Sequence, residues 1–73
     1  AIDSGDFVTH FNLAALQEKM GRFDAAIESY KRALESKPKH FETLYYLGLL
    51  QQKTGALEDA RRSLQAAGEL RPE

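Results

Sequence analysis

The side chains of this 73-residue chain best suited to bind a metal or move a proton are two histidines, His10 and His40. A zinc site on a helix needs a second His or a carboxylate one turn away. Asp6, four residues before His10, is the one neighbour at that spacing. One carboxylate is too small a ligand set, so no metal site is expected. His10 reads as a histidine packed at an edge or facing solvent. The acidic residues Asp24, Glu28, Glu35, Glu58, Asp59 and Glu69 lie beside basic partners on what read as helix surfaces. Paired catalytic carboxylates need a shared cleft that drives their pKa values apart, and a solvated face is the simpler reading. Ser29 and Ser63 stand at equivalent places in a repeated unit, which points to structure rather than a nucleophile. Gly21 and Gly55 are isolated glycines and build no phosphate loop. The residues imply neither an enzyme nor a cofactor.

Lys31, Arg32, Lys37, Lys39 and His40 form a basic stretch. Cations are favoured near helix C-termini by the backbone dipole. With 11 acidic and 10 basic residues and a net charge of −1, the chain lacks the footprint of a nucleic-acid or acidic-membrane binder. No apolar run has the length of a membrane span, and no signal peptide is visible. There is no cysteine, hence no disulfide and no thiolate metal site. The first residue is Ala1, so the chain is read as a segment of a longer protein or a processed product. A cytoplasmic location is the default expectation.

These residues must be positioned by helices. Residues 7–40 and 41–73 say the same thing twice, 34 residues apart, with 12 of 33 aligned positions identical. The expected organisation is a polar lead-in over 1–6, one repeat over 7–40 and a second over 41–73. Asp6 or Ser4 is placed to cap the first helix, because a short side-chain oxygen accepts from its free N–H groups. Apolar residues at helical spacing predict that helix over about Phe7–Met20, with Gly21 as its left-handed stop. Phe23, Ala26, Ile27, Tyr30, Ala33 and Leu34 form one stripe and predict a second helix over Phe23–Ser36. Pro38 ends it, because the residue before proline is pushed out of the helical region. A third helix is expected over about Phe41–Thr54 and a fourth over Leu57–Leu70, stopping before Pro72. Glu28–Arg32 and Glu58–Arg62 are candidate i,i+4 pairs. Short connections force antiparallel neighbours, so the fold class is all-α: two antiparallel helix-turn-helix hairpins.

Small residues mark the close approaches. Ala26, Ala33, Ala60 and Ala67 are equivalent in the second helices, as are Ala14 and Gly48 in the first. Leu13, Leu47, Tyr30 and Leu64 are expected to fill beside them. Ala26→Leu would overpack that contact and cost on the order of 1–3 kcal/mol.

The pattern Leu13-Ala14, Gly21, Ala26, Tyr30, Ala33, Pro38, echoed by Leu44, Leu47-Gly48, Gly55, Ala60, Leu64, Ala67, Pro72, resembles the tetratricopeptide repeat. The resemblance implies a short right-handed solenoid of four helices and a protein-interaction role. His10, Gln17 and Gln51 depart from it, placing polar groups at usually apolar sites and suggesting an edge. Arg61 and Gly68 stand where the first copy has Ile27 and Leu34, at places that face a following repeat in this family.

In such repeats the first helix of each pair lines a concave groove that takes a peptide or helix. The resemblance puts Val8, Phe11, Asn12, Ala15, Glu18 and Lys19 there from the first copy. The second copy contributes Glu42, Tyr45, Tyr46, Leu49, Gln52 and Lys53. The expected anchors are Phe11, Tyr45, Tyr46 and Leu49, because desolvated aromatics dominate binding energy. The competing reading is that Phe11 and Tyr45 only pack between the repeats. A subclass of the family clamps the carboxylate tail of heat-shock chaperones with Lys, Asn and Arg. Phe11, Ala15 and Tyr46 at the corresponding positions argue against that ligand. An asparagine ladder, used by another subclass, finds Asn12 but is broken by Tyr46. The partner is therefore expected to be a protein or peptide bearing apolar or aromatic groups. The alternative is a self-associating element, a homo-oligomer formed through exposed repeat ends.

Overall fold

The structure, a computed structural model, describes residues 6–70. Ser4 and Pro72, read above as a cap and a stop, lie outside the described residues. Four helices follow one another: α1 (Phe7–Lys19), α2 (Phe23–Ser36), α3 (Phe41–Lys53) and α4 (Leu57–Leu70). Among the described residues there is no strand. The first and third helices end one residue earlier than the periodicity predicts, since Met20 and Thr54 are their C-caps.

Asp6 starts α1: its carboxylate accepts from the Thr9 backbone N–H at 3.1 Å and from the Thr9 hydroxyl at 2.8 Å. α3 begins in the same way with a different residue. The His40 ring nitrogen Nδ1 accepts from the Thr43 backbone N–H at 3.2 Å. Within each hairpin the turn is built alike. Gly21 and Gly55 take φ of 81° and 91°, a region that glycine enters without steric cost. The Gly21 and Arg22 N–H groups then bond to Glu18 and Gln17 carbonyls at 3.0 and 2.8 Å. Gly55 and Ala56 bond to Gln52 and Gln51 at 3.2 and 2.8 Å. This paired closure satisfies the carbonyls that a helix end would otherwise leave without donors.

α1 packs on α2, α3 on α4, and α2 joins the hairpins by lying against α3. Ala14, Ala26, Tyr30, Leu47 and Leu50 form the buried core, with Phe11, Phe23, Ile27 and Leu34 packed around it. Gly48 sits where α4 comes closest: a Cβ there would lie 2.6 Å from Leu64 Cγ.

Four expectations need correction. Leu13 does not fill the core; it is exposed, whereas its equivalent Leu47 is buried, because α2 covers α3 and no described helix covers that side of α1. Gln51 is not at an edge: it is buried and accepts from the Ser63 hydroxyl at 2.7 Å. Gln17, half-buried, accepts from Ser29 in the same way at 2.6 Å. The two i,i+4 ion pairs do not close among the described residues; Glu58 pairs with Arg61 instead, at 2.6 Å with both side chains in solvent. Such exposed pairs are worth so little that geometry readily chooses among them.

Candidate peptide-binding surface

The residues of the expected groove come from α1 and α3, whose Schellman turns and caps fix where each helix begins and ends. Val8, Asn12 and Ala15 are exposed on α1, and Tyr45, Tyr46 and Leu49 are exposed on α3. Phe11 is half-buried. The spacing within each set is that of a single helix face.

Phe11 and Tyr46 bring the two helices together, with ring centroids 6.2 Å apart. Tyr46 also lies 6.0 Å from Tyr45 and 6.4 Å from Tyr30. Tyr30 meets Phe11 edge-on at 5.8 Å. Phe41 stacks on Tyr45 at 5.8 Å, and Phe7 on Phe11 at 5.5 Å. The aromatic side chains thus run continuously from α1 to α3, over a floor supplied by α2. Offset and edge-on rings at these separations attract each other beyond simple area burial. Phe11 therefore contributes to packing between the hairpins as well as lining the face.

Sequence reasoning missed three parts of this surface. The first is Tyr30, buried beneath Tyr46, whose hydroxyl donates to Glu18 Oε1 at 3.2 Å. Burial, reinforced by the adjacent Glu18 carboxylate, holds its ionisation well above the ordinary tyrosine range. The second is His40, whose ring lies 4.6 Å from Phe7 and 6.0 Å from Phe11, closing one end of the aromatic run. The third is the engagement of two lysines. Lys37 Nζ stands 4.8 Å over the Phe7 ring. Lys53, named above among the groove residues, reaches the Phe23 ring at 5.2 Å. Both contacts are cation–π in character. Tyr30 and Phe23 lie on α2, so no reading of the first helices alone could find them.

The surface is open: the described residues enclose no pocket. Among them no three His, Asp or Glu side chains converge at metal-binding distance, and His10 is half-buried on α1. No described helix is long and apolar enough to cross a membrane.

The sequence matches a tetratricopeptide repeat model over residues 7–40 and a second tetratricopeptide repeat model over residues 29–62. The second match begins within α2, crosses α3 and ends in α4. The chain belongs to the tetratricopeptide repeat family. As a member of that family it is similar to the human (Homo sapiens) FK506-binding protein-like, with 42% identity over 57 residues, 78% of this chain and 16% of that protein. It is also similar to peptidyl-prolyl cis-trans isomerase PASTICCINO1 of Arabidopsis thaliana, 40% identical over 52 residues, 71% of this chain and 8% of that one. FK506-binding protein-like of Rattus norvegicus is 39% identical over 57 residues. This tetratricopeptide repeat chain thus spans less than a fifth of the length of these curated relatives.

Proposed function

We propose that the chain is a non-catalytic interaction module that holds a peptide or helix of a partner protein on the α1/α3 face. The observation that carries this reading is the exposure of Tyr45, Tyr46 and Leu49 beside the Phe11–Tyr46 contact. Val8, Asn12 and Ala15 extend the face along α1. Rigid rings with one exposed side lose little entropy on binding, which is why such residues become hot spots. The face offers apolar surface and ring faces, not a cluster of cations. The favoured ligand therefore presents aliphatic or aromatic side chains rather than a terminal carboxylate. The isomerase activity in the name of one relative belongs to that whole protein. On this reading the module serves by binding alone, without cofactor, nucleic acid or lipid.

A displayed peptide library selected against the folded chain tests the reading. Selected peptides should be rich in aliphatic and aromatic residues. Tyr46→Ala and Leu49→Asp should each weaken them tenfold or more, about 1.4 kcal/mol, with circular dichroism unchanged. Peptides that bind equally well to both variants would place recognition elsewhere.

A further inference from the structure

A carboxylate stands in the aromatic α1/α3 face. Among the described residues Glu18 alone of the aspartates and glutamates is half-buried; every other one is exposed. Its Oε1 accepts from the Tyr30 hydroxyl at 3.2 Å. The Tyr30 ring lies 5.8 Å from Phe11 and 6.4 Å from Tyr46. Tyr30 is buried and comes from α2, which lies against both α1 and α3. Glu18 therefore faces the seam between the two helices, and the residues that place it there are all described.

Its charge is not answered within this part of the chain. Among the described residues the ion pair is Glu58 with Arg61, on α4. Lys19, the next residue after Glu18, is exposed, and successive helix residues do not face each other. Lys53 is drawn to the Phe23 ring. A carboxylate that has lost part of its water without gaining a cation is held at a cost. Its field is felt nearby, since Glu18 adds to the resistance of Tyr30 to ionisation. The rings share its preference, because an aromatic face is negative and attracts cations. The chain already uses that attraction at Lys37 on Phe7 and Lys53 on Phe23.

We infer that the partner segment presents an arginine, whose guanidinium lies on the exposed Tyr46 ring and donates to the Glu18 carboxylate, with apolar side chains against Tyr45 and Leu49. The inference rests on the α1/α3 face being the binding face, and it adds the chemistry that fixes register there. Arginine suits the place better than lysine. Its planar guanidinium can stack on a ring and still donate in its own plane, whereas an ammonium is a more strongly hydrated point charge. Tyr30 takes up one lone pair of Oε1, and the ionised carboxylate has acceptor sites left for such a fork. A neutral or acidic residue at this point would bury Glu18 further with nothing to compensate it, so the same group selects against wrong partners.

A random displayed peptide library selected against the parent chain tests the inference, using those peptides that lose binding to Leu49→Asp. They should share an arginine at a fixed distance from their apolar residues. Replacing it by citrulline, which keeps the shape and removes the charge, should weaken binding to the parent about tenfold, or 1.4 kcal/mol. The same replacement should change binding to Glu18→Gln little. Glu18→Gln keeps an acceptor for Tyr30, and circular dichroism checks its fold. On Glu42→Gln, at an exposed carboxylate of α3, the full citrulline loss should persist. Leu49-dependent peptides without a shared arginine, or a citrulline loss as large on Glu18→Gln as on the parent, would overturn the inference and leave the α1/α3 binding face standing. A citrulline loss abolished equally by Glu42→Gln would overturn it too, by showing that only the general field of the face is read. If no selected peptide depends on Leu49, both the inference and the binding face fall.

Discussion

The Ser63 hydroxyl donates to the Gln51 side-chain carbonyl oxygen at 2.7 Å across the α3–α4 hairpin, with both residues buried. One repeat earlier Ser29 and Gln17 make the same bridge at 2.6 Å across α1 and α2. A buried amide oxygen needs a donor, and these serines provide it from twelve residues away. Ser63→Ala should cost about 1–3 kcal/mol, because the acceptor is left buried and unpaired. Replacing both partners, as Gln51→Leu with Ser63→Ala, should recover part of that loss. Ser29→Ala should cost less, since Gln17 is only half-buried and water can reach it. Urea unfolding of the parent, Ser63→Ala, Gln51→Leu, the double mutant and Ser29→Ala compares these costs, and an additive double mutant would argue that the bridge carries no coupling.

Gly48 predicts a second effect. Its missing side chain admits Leu64, whose Cγ and Cδ2 would stand 2.6 and 2.7 Å from a Cβ. Gly48→Ala should therefore lower stability by about 1–3 kcal/mol through overpacking, despite the better helix propensity of alanine. Adding Leu64→Ala should relieve the clash. A thermal melt in which Gly48→Ala alone is stabilising would contradict this close approach.

Tyr30 predicts alkaline sensitivity. Its folded-state pKa is raised, by burial first and then by Glu18. The protonated phenol is favoured in the folded chain, so this contribution is fully present below the unfolded tyrosine pKa of about 10. It is lost progressively as pH rises above that value. Stability should fall between roughly pH 10 and 12 for this reason, and Tyr30→Phe should flatten the fall. Equal slopes for parent and Tyr30→Phe in chemical denaturation would show that Tyr30 is not responsible.

His40 acts as both cap and packing ring. His40→Ala should cost about 1–2 kcal/mol, from the lost acceptor for the Thr43 N–H and the lost face against Phe7. His40→Asn restores a capping acceptor without the ring and should fall between the two. If His40→Asn is no better than His40→Ala, the cap contributes little and the ring contact is the whole effect.

Much of the fold is legible along the chain. Gly21 and Gly55 stop helices because left-handed backbone favours glycine, and Pro38 stops one through sterics on its neighbour. Both effects act within a few residues. The identities Gln17/Gln51 and Ser29/Ser63 are also visible as repeated letters. Their bonding is not, because each bridge depends on the register of two antiparallel helices. The candidate face is legible as far as Tyr45, Tyr46 and Leu49, whose spacing alone puts them on one side of a helix. Tyr30 beneath them and His40 at the end are not, since both reach the face from outside α1 and α3.

Leu13 and Leu47 mark the boundary most clearly. Residue type, repeat position and helical phase are the same for both, so the sequence by itself determined that they hold equivalent helix positions and led to the same packing expectation for each. Only tertiary structure decided that Leu47 is buried and Leu13 is not. Burial depends on what lies opposite, and α2 lies against α3 while that side of α1 faces no other described helix.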